Sequence, residues 1–261
     1  MYTYHFMRNI RLTLEYDGTQ YHGWQSQKGT GRATIQDALE QSLFSLTGVR
    51  ITTAASGRTD ARVHALGQVV NFHTTSRIPA ASWAPALNQL LPHDIRVTAS
   101  GEADEHFHAR HSATGKVYTY RILNRPAQTA LARNYCWHIP QALDLRKMRK
   151  AAVCLLGKHD FSAFRGSGCA AKNPVRTITS LKIGKRLDFV ELKVEADAFL
   201  QYMVRNITGT LVEAGLGRFR PEGVRDILLS RDRTKAGKTA PPQGLFLTAV
   251  HYGNRRRSKK V

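Results

Sequence analysis

Leu12, Leu14 and Tyr16 alternate with polar neighbours, and Ile35, Leu39, Leu43 and Leu46 then recur at helical spacing. A period of two marks a half-buried strand and a longer period an amphipathic helix, so sheet and helix must share one core. Thr34 stands where a helix N-cap belongs, with Asp37 three residues on in a capping-box-like place. A loop over 56–65, a strand over 68–73, a helix opened by Pro79 with Trp83, Leu87 and Leu91 inward, and a strand over 94–99 follow. The order then roughly recurs. Strands are expected at 116–123, 176–183, 189–195 and 245–251, and helices at 143–156, 201–214 and 222–230. Both halves therefore mix antiparallel strand pairs with helices, which predicts an α+β fold.

Charge divides the chain unevenly. Residues 1–105 hold 9 basic and 9 acidic side chains; residues 106–261 hold 30 and 10, so the whole net charge of +20 lies there. Between Arg110 and Arg186 the count is 16 basic to 2 acidic. A field of one sign over a large surface favours a polyanionic partner and speeds its capture. The step places a subdomain boundary near 105: an N-terminal subdomain over 8–105, a basic one over 106–252, and a basic tail over 253–261 expected to be disordered. No apolar run approaches the roughly 18 residues of a membrane span, and the first ten residues lack the pattern of a secretory or transit signal. Cys136, Cys154 and Cys169 are an odd number at spacings of 18 and 15, which argues against a disulfide framework or zinc cluster and for a reducing cytoplasm.

No metal-ligand spacing, Walker loop, GxGxxG or GxSxG elbow is present, so neither a metal nor a nucleotide cofactor is implied. His106 and His108, at i and i+2, would share one face of a strand beside Arg110, where they read as phosphate contacts or as ordinary solvated residues. Asp60 is the exception among the carboxylates. It follows Arg58 in the loop Gly57-Arg58-Thr59-Asp60-Ala61-Arg62, and on local grounds alone reads as a turn residue.

Other segments change that reading. Leu14-Glu15-Tyr16-Asp17-Gly18-Thr19 with Tyr21-His22-Gly23-Trp24-Gln25, Lys116-Val117-Tyr118-Thr119-Tyr120-Arg121-Ile122, and Phe199-Leu200-Gln201-Tyr202-Met203-Val204-Arg205-Asn206-Ile207 stand in that order around the Asp60 loop. Asp160-Phe161-Ser162-Ala163-Phe164-Arg165 and Ala240-Pro241-Pro242-Gln243-Gly244-Leu245 add to them. Together, over roughly residues 10–252, they resemble the TruA family of tRNA pseudouridine synthases. The resemblance implies the pseudouridine synthase fold, with two mixed α/β subdomains whose antiparallel sheets meet at a central cleft.

It also implies isomerisation of uridine to pseudouridine at positions 38, 39 and 40 of the tRNA anticodon stem-loop, by a cytoplasmic homodimer without cofactor or metal. Asp60 falls on the catalytic aspartate, acting as nucleophile or as base and electrostatic partner. Either role needs an ionised carboxylate, which the implied guanidinium of Arg205 would favour. Tyr118 falls on the substrate-contacting tyrosine, and Arg58 on the residue that fills the stack when the target base is extruded. His106, Phe107, His108, Arg110, Cys169 and Lys172 fall on segments that touch tRNA. The charge step alone fits a non-catalytic RNA-binding protein equally well, and a synthase with a different RNA target is a further alternative. Two departures stand out. Arg62 replaces the family's glycine, which reads either as a shift or strain of the loop of roughly 1 kcal/mol or more or equally as an added phosphate contact; Gln201-Tyr202 replaces an aromatic-histidine pair.

Overall fold

The computed structural model describes residues 7–27 and 29–253; of the tail at 253–261, all but Gly253 lies outside the described residues. Among those described, the chain forms ten strands, mostly antiparallel, and five α-helices, and it divides into two compact units. The first comprises residues up to Thr114 and from Leu247 onward; the second is Gly115–Phe246.

In the first unit, β1 (Arg8–Tyr16), α1 (Ile35–Thr47), β2 (Ala54–Ala55), β3 (His64–Thr74), α2 (Trp83–Asn88) and β4 (Ile95–Ala103) follow in order. Strand β1 pairs antiparallel with both β3 and β4, and the two-residue β2 pairs with β3. The alternation read in β1 is real: Ile10, Leu12 and Leu14 have no exposed surface, each such side chain adding about 1.5–3 kcal/mol of apolar burial. Strand β3 starts four residues before the expected strand. Nearly all of its side chains are buried on both faces, so it carries no two-residue period for the sequence to reveal. Helix α1 presents Ile35, Leu39 and Leu43 to the core. It begins where expected: the Thr34 hydroxyl accepts from Asp37 N–H at 3.2 Å, and Gly48 closes the helix at φ 70°. Pro79 precedes a 3₁₀ turn, Ala80–Ser82, that runs into α2, whose Trp83 packs edge-on against Phe72 of β3 at 5.0 Å.

The second unit takes up β5 (Ala113–Asn124), β6 (Trp137–Ile139), α3 (Leu145–Ala152), β7 (Gly157–Asp160), β8 (Val175–Arg186), β9 (Phe189–Ala196), α4 (Met203–Gly215), α5 (Gly223–Ser230) and the start of β10 (Leu245–Tyr252), which carries the chain back to the first unit. Strand β9 pairs antiparallel with β5 and β8, β8 pairs in turn with β7, and β6 runs parallel to β5. The short strands β2, β6 and β7 have no periodic signature and were not expected. Helix α4 is buried along nearly its whole length, with only Arg205 half-exposed. A Cβ on Gly209 would come within 1.7 Å of the Lys238 carbonyl oxygen, so glycine there lets the segment before β10 lie directly on the helix.

Replacing Thr34 by Ala removes the α1 cap while leaving its apolar face intact. The expected loss is about 1 kcal/mol of stability, read by urea unfolding.

Candidate active site

Asp60 sits half-exposed in the loop 56–63 between β2 and β3, with Arg58 exposed two residues before it. The loop is fixed on either side of the carboxylate. Thr59 carbonyl accepts from Trp24 N–H at 3.1 Å, and its hydroxyl shares a 2.8 Å hydrogen bond with the buried phenol of Tyr16. Burial pushes the Tyr16 phenol well up, which keeps it neutral. Arg62 N–H donates to Tyr21 carbonyl, and Val63 N–H to Asp60 carbonyl, both at 3.1 Å. Gln68, fully buried on β3, donates from Nε2 to Gly57 carbonyl at 2.8 Å and accepts from the Ser56 hydroxyl at 2.6 Å. A buried side-chain amide keeps its place only when so satisfied, which makes Gln68 a post for the loop.

Two glycines let the chain after β1 close over this loop. A Cβ on Gly18 would lie 2.1 Å from the Val63 carbonyl oxygen, and one on Gly23, at φ 91°, would lie 2.6 Å from that of Thr59. Arg62 adopts φ 63°, the left-handed conformation that glycine would take without strain. The strain expected at this position is therefore local to one exposed residue, and the loop keeps its hydrogen bonds.

His106, Phe107, His108 and Arg110 fall in a turn after β4, not on a strand, so the shared-face argument for the two histidines does not hold. Backbone–side-chain bonds shape the turn: His106 N–H donates to Asp104 Oδ1 and Arg110 N–H to His108 Nδ1. Beneath it, Asn9 and Asn71 are buried. Asn9 Nδ2 donates to the carbonyls of Asp104 and Phe107 at 2.8 Å each, and Asn71 Oδ1 accepts from Ala109 N–H at 2.9 Å. The Arg11 guanidinium lies over the Phe107 and Tyr252 rings, 5.5 and 4.8 Å from their centroids. Burial, then the neighbouring charges of His111, Arg110 and His73, hold the His108 imidazole below its usual range.

In the second unit, Tyr118 lies on β5 with its ring edge-on to Phe199 at 5.1 Å. Arg205, in the first turn of α4, donates from Nε to Ala240 carbonyl at 2.8 Å, and Ala240 N–H returns to Arg205 carbonyl at 3.1 Å. Tyr120, whose phenol burial pushes well up against the opposing effect of Arg205, donates to Pro241 carbonyl at 2.7 Å. Asn206 ties the same segment from below: its Oδ1 accepts from Arg233 at 3.0 Å and from the Thr239 hydroxyl at 2.6 Å, while its Nδ2 donates to Phe164 carbonyl. Cys169 is half-buried and Lys172 exposed, both in the loop between β7 and β8. Sequence reading missed Gln68, Tyr120, Asn206 and the buried Asn9–Asn71 pair. Gln68 and Asn71, polar types within the apolar stretch 65–72, offer a signal; Asn9, Tyr120 and Asn206, each beside an arginine, do not.

Among the described residues no three His, Cys, Asp or Glu side chains gather as metal ligands, and no helix is long and apolar enough to cross a membrane. The profile of the tRNA pseudouridine synthase family matches residues 13–112 and 151–253. The chain belongs to that family. Among its relatives, tRNA pseudouridine synthase A of Thermoanaerobacter sp. (strain X514) is 49% identical over 94% of this chain and 100% of its own length. That of Acetivibrio thermocellus is 47% identical over the same shares, and that of Myxococcus xanthus 47% over 94% and 92%. The family profile takes in the Asp60 loop, the 106–110 turn and α4, whereas β5 with Tyr118 falls in the stretch it leaves unmatched.

Arg62→Gly should alter stability by less than about 1 kcal/mol, since relief of the left-handed backbone is offset by the greater freedom of unfolded glycine. Arg62→Val, β-branched at φ 63°, should cost about 1–2 kcal/mol; equilibrium urea unfolding of both separates the cases. The 106–112 turn should loosen in acid. Because the folded-state value of His108 is depressed, the unfolded chain takes up the proton first, and stability is lost as pH falls from about 6.5. Hydrogen exchange of residues 106–112 should therefore speed up between about pH 7 and pH 5 after correction for the intrinsic rate, and His108→Asn should flatten the trend.

Proposed function

We propose that this chain isomerises uridine to pseudouridine at positions 38, 39 and 40 of the tRNA anticodon stem-loop, with Asp60 as the catalytic nucleophile. Family membership carries the reaction class. The choice of Asp60 is supported by its loop, whose backbone is hydrogen-bonded on both sides of a half-exposed carboxylate. A nucleophile held in place before the substrate arrives avoids ordering cost at the moment of reaction.

The chemistry is an internal transfer. The uridine N1–C1′ bond breaks, the uracil turns, and a C5–C1′ bond forms; C5 gives up its hydrogen as a proton and N1 regains one. No oxidant, reductant or metal enters the balance. Asp60 attacks as the carboxylate and departs unchanged. Tyr118 offers an aromatic face to the uracil, Arg205 binds the same nucleotide, and Arg58 fills the stack vacated by the extruded base, which costs a few kcal/mol to remove. His106, Phe107, His108, Arg110, Cys169 and Lys172 contact the tRNA backbone and read its shape. The excess of +20 supports this, since binding would release counterions from many phosphates. The working form is a homodimer in the cytoplasm, where three free cysteines are at home.

The test is tritium release from tRNA labelled at uracil C5. Wild-type protein should release label from uridines at 38–40 and none from a tRNA with cytidine there. Asp60→Asn should cut release on the order of 10³-fold or more while tRNA affinity changes little. Release that persists in this variant would remove Asp60 from the mechanism, and release from the cytidine-substituted tRNA would overturn the assigned positions. Affinity should fall steeply with salt, with a log–log slope of several units; analytical ultracentrifugation decides the dimer.

A further inference from the structure

Tyr202 carries a combination of features that the reaction has not yet used. It is the N-cap of α4, at φ 61° and ψ 1°, and its side chain makes no capping hydrogen bond. A tyrosine in the left-handed region carries a steric cost that glycine or asparagine would avoid. An exposed N-cap also favours Ser, Thr, Asp or Asn, none of which is present. Such strain persists only where surrounding structure imposes it, and it gathers at functional sites.

The ring accounts for it. The Arg205 guanidinium, one turn into α4, lies over the Tyr202 ring 4.8 Å from its centroid. The ring is itself backed from a distant part of the chain: Gly166 N–H donates to Gln201 carbonyl at 2.9 Å, and a Cβ on Gly166 would come within 2.6 Å of the Tyr202 ring. With Nε committed to Ala240 carbonyl, the guanidinium has one edge tied and one face against an aromatic plane. A planar cation so held keeps its orientation, where a flexible chain would sweep several rotamers.

We infer that Tyr202 is a positioning residue for Arg205: its strained backbone and the absence of a side chain at Gly166 together place an aromatic face that sets the plane of the guanidinium. The inference rests on the reading that Arg205 binds the substrate nucleotide. It concerns orientation, so its signature is on turnover more than on tRNA affinity, which many phosphate contacts supply.

Asparagine tolerates the left-handed backbone and removes the ring, so Tyr202→Asn separates ring from fold. In the tritium-release assay kcat should fall roughly ten-fold or more, as small misplacements of a substrate-orienting group do, with tRNA affinity within about two-fold and an unchanged melting temperature. Tyr202→Phe keeps the face and should restore kcat to within about two-fold. Gly166→Ala should lower kcat by pushing the ring, and should have no further effect in the Tyr202→Asn background, because coupling through a shared group makes effects non-additive. A Tyr202→Asn protein with wild-type kcat beside an inactive Arg205→Ala would overturn the inference, as would a Gly166→Ala effect of equal size in both backgrounds. A fully active Arg205→Ala would instead remove the reading beneath it, and the inference with it.

Discussion

Helix α4 is buried at every position but Arg205, and a buried helix must satisfy the polar side chains it carries from within the protein. Asn206, with no exposed surface, does so by gathering the Arg233 guanidinium, the Thr239 hydroxyl and the Phe164 carbonyl. Thr210 accepts from Gly237 N–H at 2.9 Å. These bonds hold the segment 233–240 along the helix, and that segment supplies the Ala240 carbonyl that fixes Arg205 Nε. The side chain given to the substrate thus inherits its position from groups buried one residue further along. Losing Asn206 would leave the half-buried Arg233 guanidinium one acceptor short.

The first unit solves the same problem with a loop in place of a helix. The 56–63 segment has no internal ladder, so its backbone groups must find partners elsewhere. Tyr21, Trp24, Val69 and the Gln68 amide supply them, and Gly18 and Gly23 allow the approach. Backbone groups on both sides of Asp60 carry these bonds. An Asp60→Asn change leaves these backbone bonds and the Gln68 post in place.

What the sequence made legible follows from locality. The Thr34 cap and the apolar faces of α1 and β1 are set by neighbouring residues, and they stand where they were expected. The α+β class followed from them. Strand β3 could not be delimited because both of its faces are covered, and β2, β6 and β7 are too short to show a period. The His106–Arg110 turn was misread for a related reason: an i, i+2 histidine pair looks like one strand face until the Asn9 and Asn71 amides, about a hundred and about forty residues upstream, are seen to bend it. For the candidate site, Asp60, Tyr118 and Arg205 are singled out only through family resemblance. Partners that hold them lie far off in the chain, as Ala240 does from Arg205, and no local pattern encodes such pairs.

Backbone strain sorts these positions further. Four non-glycine residues among those described have positive φ: Arg62, Leu187, Tyr202 and Arg231. Two have ordinary explanations. Leu187 turns the tight hairpin between β8 and β9, and Arg231 is the left-handed cap that ends α5. Neither explanation serves the other two, since Arg62 ends no helix and Tyr202 begins one. Each stands within three residues of a side chain assigned to the reaction, Arg62 after Asp60 and Tyr202 before Arg205. At Arg62 the strain is the residue's own, because the loop bonds around it are backbone bonds that glycine would keep. At Tyr202 the ring is in use, and glycine would forfeit the face on which the guanidinium rests. Equal backbone angles therefore mark different constraints, and it is the contact made by the side chain that tells them apart.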